Sequence, residues 1–331
     1  MIRALICIFL LFACGTAAGQ QALPRLNIPP GSLTVSGVSS GGYMATQYQV
    51  AYAKDVAGAG IIAAGPWFCA QGSLMRALDE CMKGGAIGPD VAPLVAAVRA
   101  SAKAGHIDDP SWLVPDRVFL FHGSRDETVG AAVVDSLIRF YRAFVPPERI
   151  RYETSIAAVH GFPARGRGGA CDTAAPPWIN DCDYDGAGEL LKHLYGELRE
   201  PAGKLPGQLL AFDQGRYEIG GMLASLEDSG WLYVPKDCAA GSPCRIHVAF
   251  HGCRQGSDFV GAAFARDAGY NRWADANHIV VLYPQIAKSW FWPFNPQGCW
   301  DWWGYSGPNY ATRNGSQLTS IRRMLQALGA H

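Results

Sequence analysis

Residues 37–41, GVSSG, match a Gly-x-Ser-x-Gly pattern near the start of the chain. In hydrolases this pattern places a serine on a sharp turn between a strand and a helix, with its hydroxyl exposed to substrate. A serine hydroxyl is a poor nucleophile at neutral pH, so it needs an imidazole base, and the imidazole needs a carboxylate that holds its tautomer and stabilises its charge. Ser39 as a nucleophile therefore predicts a histidine and an acid beyond the ends of other strands.

Two residues meet that requirement. Asp126 follows the strand-like run RVFLFHG at 117–123, and His160 follows the strand-like run RIRYETSI at 149–156. Alone, such an aspartate is often a turn former or helix cap, and a single histidine is often structural. Together they give the order Ser39, Asp126, His160, which is the nucleophile, acid and base order of α/β-hydrolases. We predict a triad in which His160 is the base and Asp126 orients it.

The position of the nucleophile raises a problem of topology. The strand and loop that supply an oxyanion-hole N–H normally precede the nucleophile in the chain. Here the matching segment, RIHVAFHGCRQG at 245–256, comes after all three triad residues. A circular permutation would produce this order. We expect the backbone N–H groups of Ser40 and Cys253 to form the oxyanion hole, whereas the alternative for His251-Gly252 is an ordinary strand end.

The remaining pattern agrees with that fold. Apolar strand-like runs alternate with helical ones through the first half, and residues 207–285 hold four further candidate strands, with helices predicted at 264–277 and near 316–329. Such alternation favours a mostly parallel sheet. We predict an α/β fold, a circularly permuted α/β-hydrolase with a mostly parallel central sheet flanked by helices, as a single domain over residues 20–331.

Residues 289–307 are unusually aromatic. They hold five of the chain's ten tryptophans: Trp290, Trp292, Trp300, Trp302 and Trp303. Bulky rings with N–H groups that need partners are hard to place together in one core layer. The segment is either a local aromatic core under a loop or a surface that binds a hydrophobic, chain-like substrate.

Residues 1–19 carry an early arginine, a short apolar run and small residues before Gln20, which predicts a secretory signal cleaved near Gly19. A lipid attachment at Cys14 is a weaker alternative, and the apolar run is too short to span a membrane. A formal net charge of zero argues against a nucleic-acid partner. We expect a secreted protein, extracellular or periplasmic.

Removal of the signal leaves eight cysteines: Cys69, Cys81, Cys171, Cys182, Cys238, Cys244, Cys253 and Cys299. An even number in a secreted chain favours disulfides. Eight cysteines allow 105 connectivities, of which nearest-neighbour pairing is one. Because the chain lacks a Cys-x-x-Cys pair, we expect no zinc.

On these residues the sequence resembles the extracellular poly(3-hydroxybutyrate) depolymerases of the circularly permuted type. The motifs that carry the resemblance are GVSSGGY at 37–43, the Asp126 loop, His160-Gly-Phe-Pro, His251-Gly-Cys, and NPQGCWDWWGY at 295–305. The resemblance implies a serine esterase that cleaves a polyester of short 3-hydroxy acids without a metal or cofactor.

The resemblance also implies substrate contacts. It places the tryptophan-rich segment along a substrate crevice, with Trp300, Trp302, Trp303 and Tyr43 as binding residues. Larger members carry a linker and a polymer-binding domain, which this sequence lacks, so we expect amorphous polymer or soluble oligomers to be better substrates than crystalline polymer. We also expect a monomer. Two alternatives stay open: an esterase for feruloyl or synthetic polyester substrates, and a non-catalytic polymer-binding relative.

Overall fold

In the described part of the chain, eight of the eleven strands form one central sheet, and the other three form a small second sheet. The computed structural model describes residues 21–201 and 203–330, so the predicted signal at 1–19 lies outside the described residues. The strands are β1 Leu33–Val38, β2 Val56–Ile62, β3 Arg117–Phe121, β4 Ile150–Glu153, β5 Phe162–Ala164, β6 Gly169–Ala170, β7 Ile179–Asp181, β8 Gln208–Asp213, β9 Ser229–Val234, β10 Arg245–Phe250 and β11 Ile279–Tyr283.

Helices cover both faces of the large sheet. They are α1 Ser40–Ala51, α2 Leu74–Leu78, α3 Ala92–Lys103, α4 Ala131–Tyr141, α5 Gly186–Tyr195, α6 Lys236–Ala239, α7 Ser257–Val260, α8 Ala263–Asp267, α9 Tyr270–Ala276 and α10 Ser316–Leu328. The strand β1, first in the chain, lies in the middle of the sheet, whose order is β4-β3-β2-β1-β10-β11-β9-β8.

This order confirms the predicted permutation. The strands β2, β3 and β4 extend the sheet in parallel on one side of β1, and β10 pairs in parallel on its other side. Only β8 and β9 introduce antiparallel pairs. The half of the sheet that an ordinary α/β-hydrolase lays down before its nucleophile is therefore built here from the second half of the chain.

The alternation of side chains explains why β3 is apolar from Val118 to Phe121. In β3, Val118 and Leu120 enter the core on one face, while Phe119 and Phe121 enter the core on the other. A strand covered by helices on both faces is mostly apolar, because both of its sides are buried. The short apolar runs of the sequence thus correspond to the buried centre of the sheet.

One local prediction differs from the structure. The predicted helix over 264–277 is two helices, α8 and α9, because Gly269 adopts a φ of 96° between them. The helix α1, which follows Ser39, is buried on every side. The segment after β11 covers its outer side, with Gln47 Nε2 donating to the Asp301 carbonyl oxygen at 2.9 Å.

Disulfides join each cysteine of the eight to its neighbour in sequence: Cys69–Cys81, Cys171–Cys182, Cys238–Cys244 and Cys253–Cys299. The prediction of disulfides is confirmed, and the connectivity that the sequence left open is the nearest-neighbour one. Among the described residues, no helix combines the length and the apolar character that crossing a membrane requires.

Candidate active site

Ser39 occupies the turn between β1 and α1. Its φ of 58° and ψ of −124° lie outside the regions that side-chain-bearing residues favour, as expected for a nucleophile on a sharp strand-to-helix turn. The Ser39 N–H donates to the Ile62 carbonyl oxygen at 2.9 Å, which ties the turn to the neighbouring strand. At this turn Ser39 also lines the cleft described below.

The glycines of the motif are required by close packing. A Cβ at Gly37 would overlap the Gly41 carbonyl oxygen, and a Cβ at Gly41 would overlap the carbonyl oxygens of Phe250 and His251. The second overlap shows that the start of α1 packs directly on the end of β10. This packing joins the two segments that were predicted to form the oxyanion hole.

Asp126 and His160 form a hydrogen-bonded pair. The His160 Nδ1 atom lies 2.8 Å from Asp126 Oδ2, and the aspartate side chain is 1% exposed. Asp126 Oδ1 accepts the N–H groups of Thr128 at 2.8 Å and Val129 at 2.9 Å. Burial alone would raise the pKa of Asp126, but the hydrogen bond and charge of His160, with these N–H donors, lower it below its ordinary value.

The charge on Asp126 sets the tautomer of His160. An ionised carboxylate can only accept, so Nδ1 of His160 donates the proton and Nε2 is left free to accept one. His160 is only partly buried and lines the same cleft as Ser39. The arrangement can remove a proton from a serine hydroxyl and stabilise the resulting imidazolium.

A disulfide loop supports the His160 turn. The N–H of Val159 donates to the Cys171 carbonyl oxygen at 3.1 Å, and the N–H of Phe162 donates to the Trp178 carbonyl oxygen at 2.8 Å. Both acceptors belong to the loop closed by Cys171–Cys182. The loop therefore holds the chain on either side of His160, a role that the sequence did not reveal.

The turn after β10 lies against Ser39. A Cβ at Gly252 would lie 3.3 Å from Ser39 Cβ and 3.2 Å from the Val38 carbonyl oxygen. The N–H of Cys253 has no acceptor among the described residues. As the first residue of α1, Ser40 likewise has an N–H without an intrahelical acceptor. Two unpaired donors thus flank the serine.

Gln255 fixes this turn. Its Oε1 atom accepts the Gly252 N–H at 2.7 Å, and its Nε2 atom donates to the carbonyl oxygens of Pro177 at 3.1 Å and Trp178 at 2.9 Å. The side chain is buried, so these hydrogen bonds are not exchanged with water. Gln255 links the predicted oxyanion turn to the loop that supports His160.

His251 plays a structural part here. Burial lowers the pKa of His251 to about 4, although its hydrogen bond to Gly252 opposes the shift. The Ile286 N–H donates to its Nε2 atom at 3.2 Å, so the neutral ring donates from Nδ1 to the Gly252 carbonyl oxygen at 2.7 Å. A neutral His251 therefore anchors the turn.

Ser39 and His160 open into a cleft of about 390 Å³. Leu74, Leu78 and Met82 form part of its apolar lining. The opposite wall comes from residues 294–297 with Trp302 and Trp303. A concave apolar site with few polar groups suits a hydrophobic ligand.

Three of the four disulfides lie in segments that line this cleft. Cys69–Cys81 closes the segment with Leu74 and Leu78, Cys171–Cys182 closes the loop with Trp178, and Cys253–Cys299 ties the oxyanion turn to the tryptophan-rich segment. Cross-links restrict how far loops can move relative to the sheet. The disulfides thus stabilise the walls of the cleft.

The predicted substrate-binding aromatics divide between cleft and core. Trp302 and Trp303 line the cleft, and so does Tyr43, whose ring stacks on Trp302 at 4.7 Å and whose hydroxyl donates to the Cys81 carbonyl oxygen. Trp300 differs from the prediction. It is fully buried and packs on Phe250 at 5.0 Å, so it belongs to the core and does not line the cleft.

Four further aromatic residues are exposed beside the cleft: Trp290, Phe291, Trp292 and Phe294. We call them the aromatic ridge. Ser289 and Asn295 close its base through paired backbone hydrogen bonds of 2.9 Å, and Phe294 also lines the cleft. Each ridge residue is more than half exposed, and an apolar patch of this kind usually marks a binding surface.

The structure also adds cleft residues that the sequence did not identify. Gln255, Trp178 and the apolar side chains of α2 carry no distinctive motif, and only the HGC motif before Gln255 pointed to its neighbourhood. Among the described residues, Cys238, Cys244 and His278 lie close enough to hold a metal, but the two sulfur atoms are bonded to each other. That cluster is therefore a disulfide site.

The permuted sheet, the serine on its turn and the histidine–carboxylate pair define an α/β-hydrolase. The sequence is 40% identical over 324 residues to the poly(3-hydroxybutyrate) depolymerase of Delftia acidovorans, covering 96% of this chain and 64% of that protein. It is 38% identical over 328 residues to the polyhydroxybutyrate depolymerase of Talaromyces funiculosus, covering 94% of each. The chain belongs to the polyhydroxybutyrate (PHB) depolymerase family.

Solved structures agree with that membership. The crystal structure of PHB depolymerase from Penicillium funiculosum is 35% identical, with a TM-score of 0.87, and the match covers 94% of this chain and 99% of that one. A variant of a PHB depolymerase complexed with an R3HB trimer matches with a TM-score of 0.86. No protein-family model matches the sequence. The chain spans just under two thirds of the Delftia relative.

Proposed function

We propose that this protein is a serine esterase that hydrolyses ester bonds of poly(3-hydroxybutyrate) or its oligomers. Ser39 is the nucleophile, His160 is the general base and acid, and Asp126 orients His160. The N–H groups of Ser40 and Cys253 bind the oxyanion. The observation that carries the proposal is the Asp126–His160 pair, at 2.8 Å, in the cleft that Ser39 also lines.

The reaction follows from these positions. Ser39 attacks the ester carbonyl while His160 Nε2 takes the serine proton, and the proton then passes to the leaving hydroxyl of the next unit. A 3-hydroxyacyl ester on Ser39 remains, and water, deprotonated by His160, hydrolyses it. Each step passes through an oxyanion, where each N–H donor contributes roughly 10²–10³ in rate.

The cleft and the relatives both support a polyester substrate. Both solved relatives are PHB depolymerases, and one holds an R3HB trimer. The cleft of this chain is largely apolar, and the aromatic ridge lies at its edge. A water-insoluble aliphatic polyester can contact the ridge while one segment of its chain enters the cleft.

We further propose that the protein is secreted, with residues 20–331 as one catalytic domain. Four disulfides support export, because such bonds persist in oxidising compartments. Monomeric state and the absence of nucleic-acid partners stay predictions.

Product release from amorphous PHB tests the proposal. Wild-type protein, Ser39→Ala and Ser40→Ala are each incubated with the suspension, and soluble products are identified by mass. We expect 3-hydroxybutyrate or its oligomers from the wild type and none from Ser39→Ala. Ser40→Ala is the matched control and should lose far less activity, because its proposed role uses the backbone N–H and its buried hydroxyl has no hydrogen-bond partner among the described residues.

The outcomes separate the parts of the proposal. Equal release by Ser39→Ala would exclude Ser39 as the nucleophile. No release by the wild type, with Ser39-dependent turnover of p-nitrophenyl butyrate, would keep the triad and exclude the polymer. Release of an aromatic acid from feruloyl esters in place of PHB products would move the protein to another substrate class.

A further inference from the structure

Arg254 stands at the mouth of the cleft, directly after the proposed oxyanion donor Cys253. The backbone N–H of Arg254 donates to the Gln297 carbonyl oxygen at 2.8 Å. Its φ of 61° is one that residues with side chains seldom adopt, so tertiary contacts hold the backbone there. The guanidinium lies over the Trp178 ring, 5.3 Å from its centroid. Both side chains line the cleft.

Within the part of the chain that the structure describes, no carboxylate pairs with the charge of Arg254. The described residues that line the cleft include no Asp, Glu or Lys, and His160 is the one histidine among them. Among the described residues, Arg254 takes part in no ion pair, whereas nine other arginines each pair with an Asp or Glu. A fixed positive charge in an otherwise apolar cleft is thus available to a ligand.

The proposed substrate limits what that ligand can be. A poly(3-hydroxyalkanoate) chain is neutral along its length, and its only anionic group is the carboxylate at one end. Guanidinium groups bind carboxylates through charge-assisted, often bidentate hydrogen bonds. We propose that Arg254 binds the free carboxylate end of a 3-hydroxyalkanoate oligomer and directs cleavage to an ester near that end. This inference rests on the proposed function and deepens it.

The orientation of the ester bond within the polymer chain supports this role for Arg254. In the ester that Ser39 attacks, the acyl side carries the hydroxyl end of the chain, and the leaving unit carries the carboxyl end. If the leaving unit is the terminal one, only a methine and a methylene carbon separate its oxygen from its carboxylate. With the attacked carbonyl at the Cys253 N–H, the neighbouring Arg254 is placed to meet that carboxylate.

The chemical step itself is unchanged. The bond between Ser39 Oγ and the carbonyl carbon forms, the bond from that carbon to the leaving oxygen breaks, and His160 gives the leaving oxygen its proton. The departing 3-hydroxycarboxylate keeps its negative charge throughout. Arg254 therefore acts on binding and on the choice of ester, and it takes no part in proton transfer.

Selectivity between capped and uncapped oligomers tests the inference. The value of kcat/KM is measured for the 3-hydroxybutyrate trimer as the free acid and as its methyl ester, with wild type, Arg254→Gln, Arg254→Glu and Arg99→Gln. Arg99 is an exposed arginine outside the cleft and serves as the matched control. Because Arg254 is exposed, we expect a preference for the acid of roughly three- to tenfold in the wild type.

The preference should disappear in Arg254→Gln, reverse in Arg254→Glu and persist in Arg99→Gln. It should also shrink at about 0.5 M salt, because screening weakens an exposed charge pair but leaves the methyl ester unaffected. A merely structural role for Arg254 would change both substrates alike and leave their ratio constant.

If the wild type shows no preference for the free acid, or if Arg254→Gln keeps that preference, the inference is wrong. The proposed function still stands in either case. Failure of the wild type to hydrolyse either trimer also overturns the inference, while product release from amorphous PHB decides the proposed function separately. Thermal unfolding of each variant shows whether it is folded before rates are compared.

Discussion

Replacing Asp126 by asparagine should disable His160 without disturbing its position. The new side chain is nearly isosteric, so the packing around it is retained. Its oxygen must take over from Asp126 Oδ1, which accepts the N–H groups of Thr128 and Val129. The amide nitrogen then faces His160 Nδ1, where Asp126 Oδ2 now lies at 2.8 Å. An N–H donor at that place forces the histidine proton onto Nε2, and a protonated Nε2 cannot accept the proton of Ser39.

The size of the effect follows from the hydrogen bonds that hold the amide in place. Rotating it to restore an acceptor for His160 would leave two backbone N–H donors facing an NH₂ group, at a cost of about 3–5 kcal/mol. Since each 1.36 kcal/mol is a factor of ten in rate, kcat should fall by roughly 10²–10⁴. The change should appear in kcat, because the cleft walls that set KM are unaltered.

The assay is the initial rate of p-nitrophenyl butyrate hydrolysis at neutral pH, with Asp79→Asn as a control at an exposed aspartate. Thermal unfolding would verify that both variants are folded. An Asp126→Asn enzyme within tenfold of the wild type in kcat would refute the tautomer argument. So would a loss confined to KM.

Two further predictions concern stability and polymer contact. Burial, opposed by a hydrogen bond from Gln49, raises the pKa of Asp116 to about 8. Between about pH 4 and 8 the folded state therefore binds more protons than the unfolded state. The free energy of unfolding should fall as the pH rises through that range, by on the order of a few kcal/mol. Asp116→Asn should remove this slope and raise Tm more at pH 8 than at pH 5, so equal shifts in Tm at both pH values would contradict it. Changing Trp290 and Trp292 of the aromatic ridge to serine should weaken adsorption to PHB film by roughly tenfold per residue, with kcat/KM for p-nitrophenyl butyrate within about twofold. Unchanged adsorption would show that the ridge does not contact the polymer.

Much of the sheet was predictable because its pattern is local. Apolar runs such as residues 118–121 identify buried strands from their own composition, since a strand covered on both faces is mostly apolar. Chain order also indicated the permutation. The HGC motif at 251–253 comes after Ser39, Asp126 and His160, whereas such a segment normally precedes the nucleophile. Catalytic residues follow strand ends, so chain order carries information about topology.

The walls of the cleft depended on the tertiary structure. They combine segments near residues 74–82, 178, 252–255 and 294–303, which long-range packing and disulfides bring together. Composition could not separate Trp300, which fills the core, from Trp302, which faces the cleft, because both lie in one aromatic run. Nor could composition show that Arg254 forms no ion pair with any other described residue. A charge is unpaired only in relation to every side chain around it, and those neighbours come from distant parts of the chain.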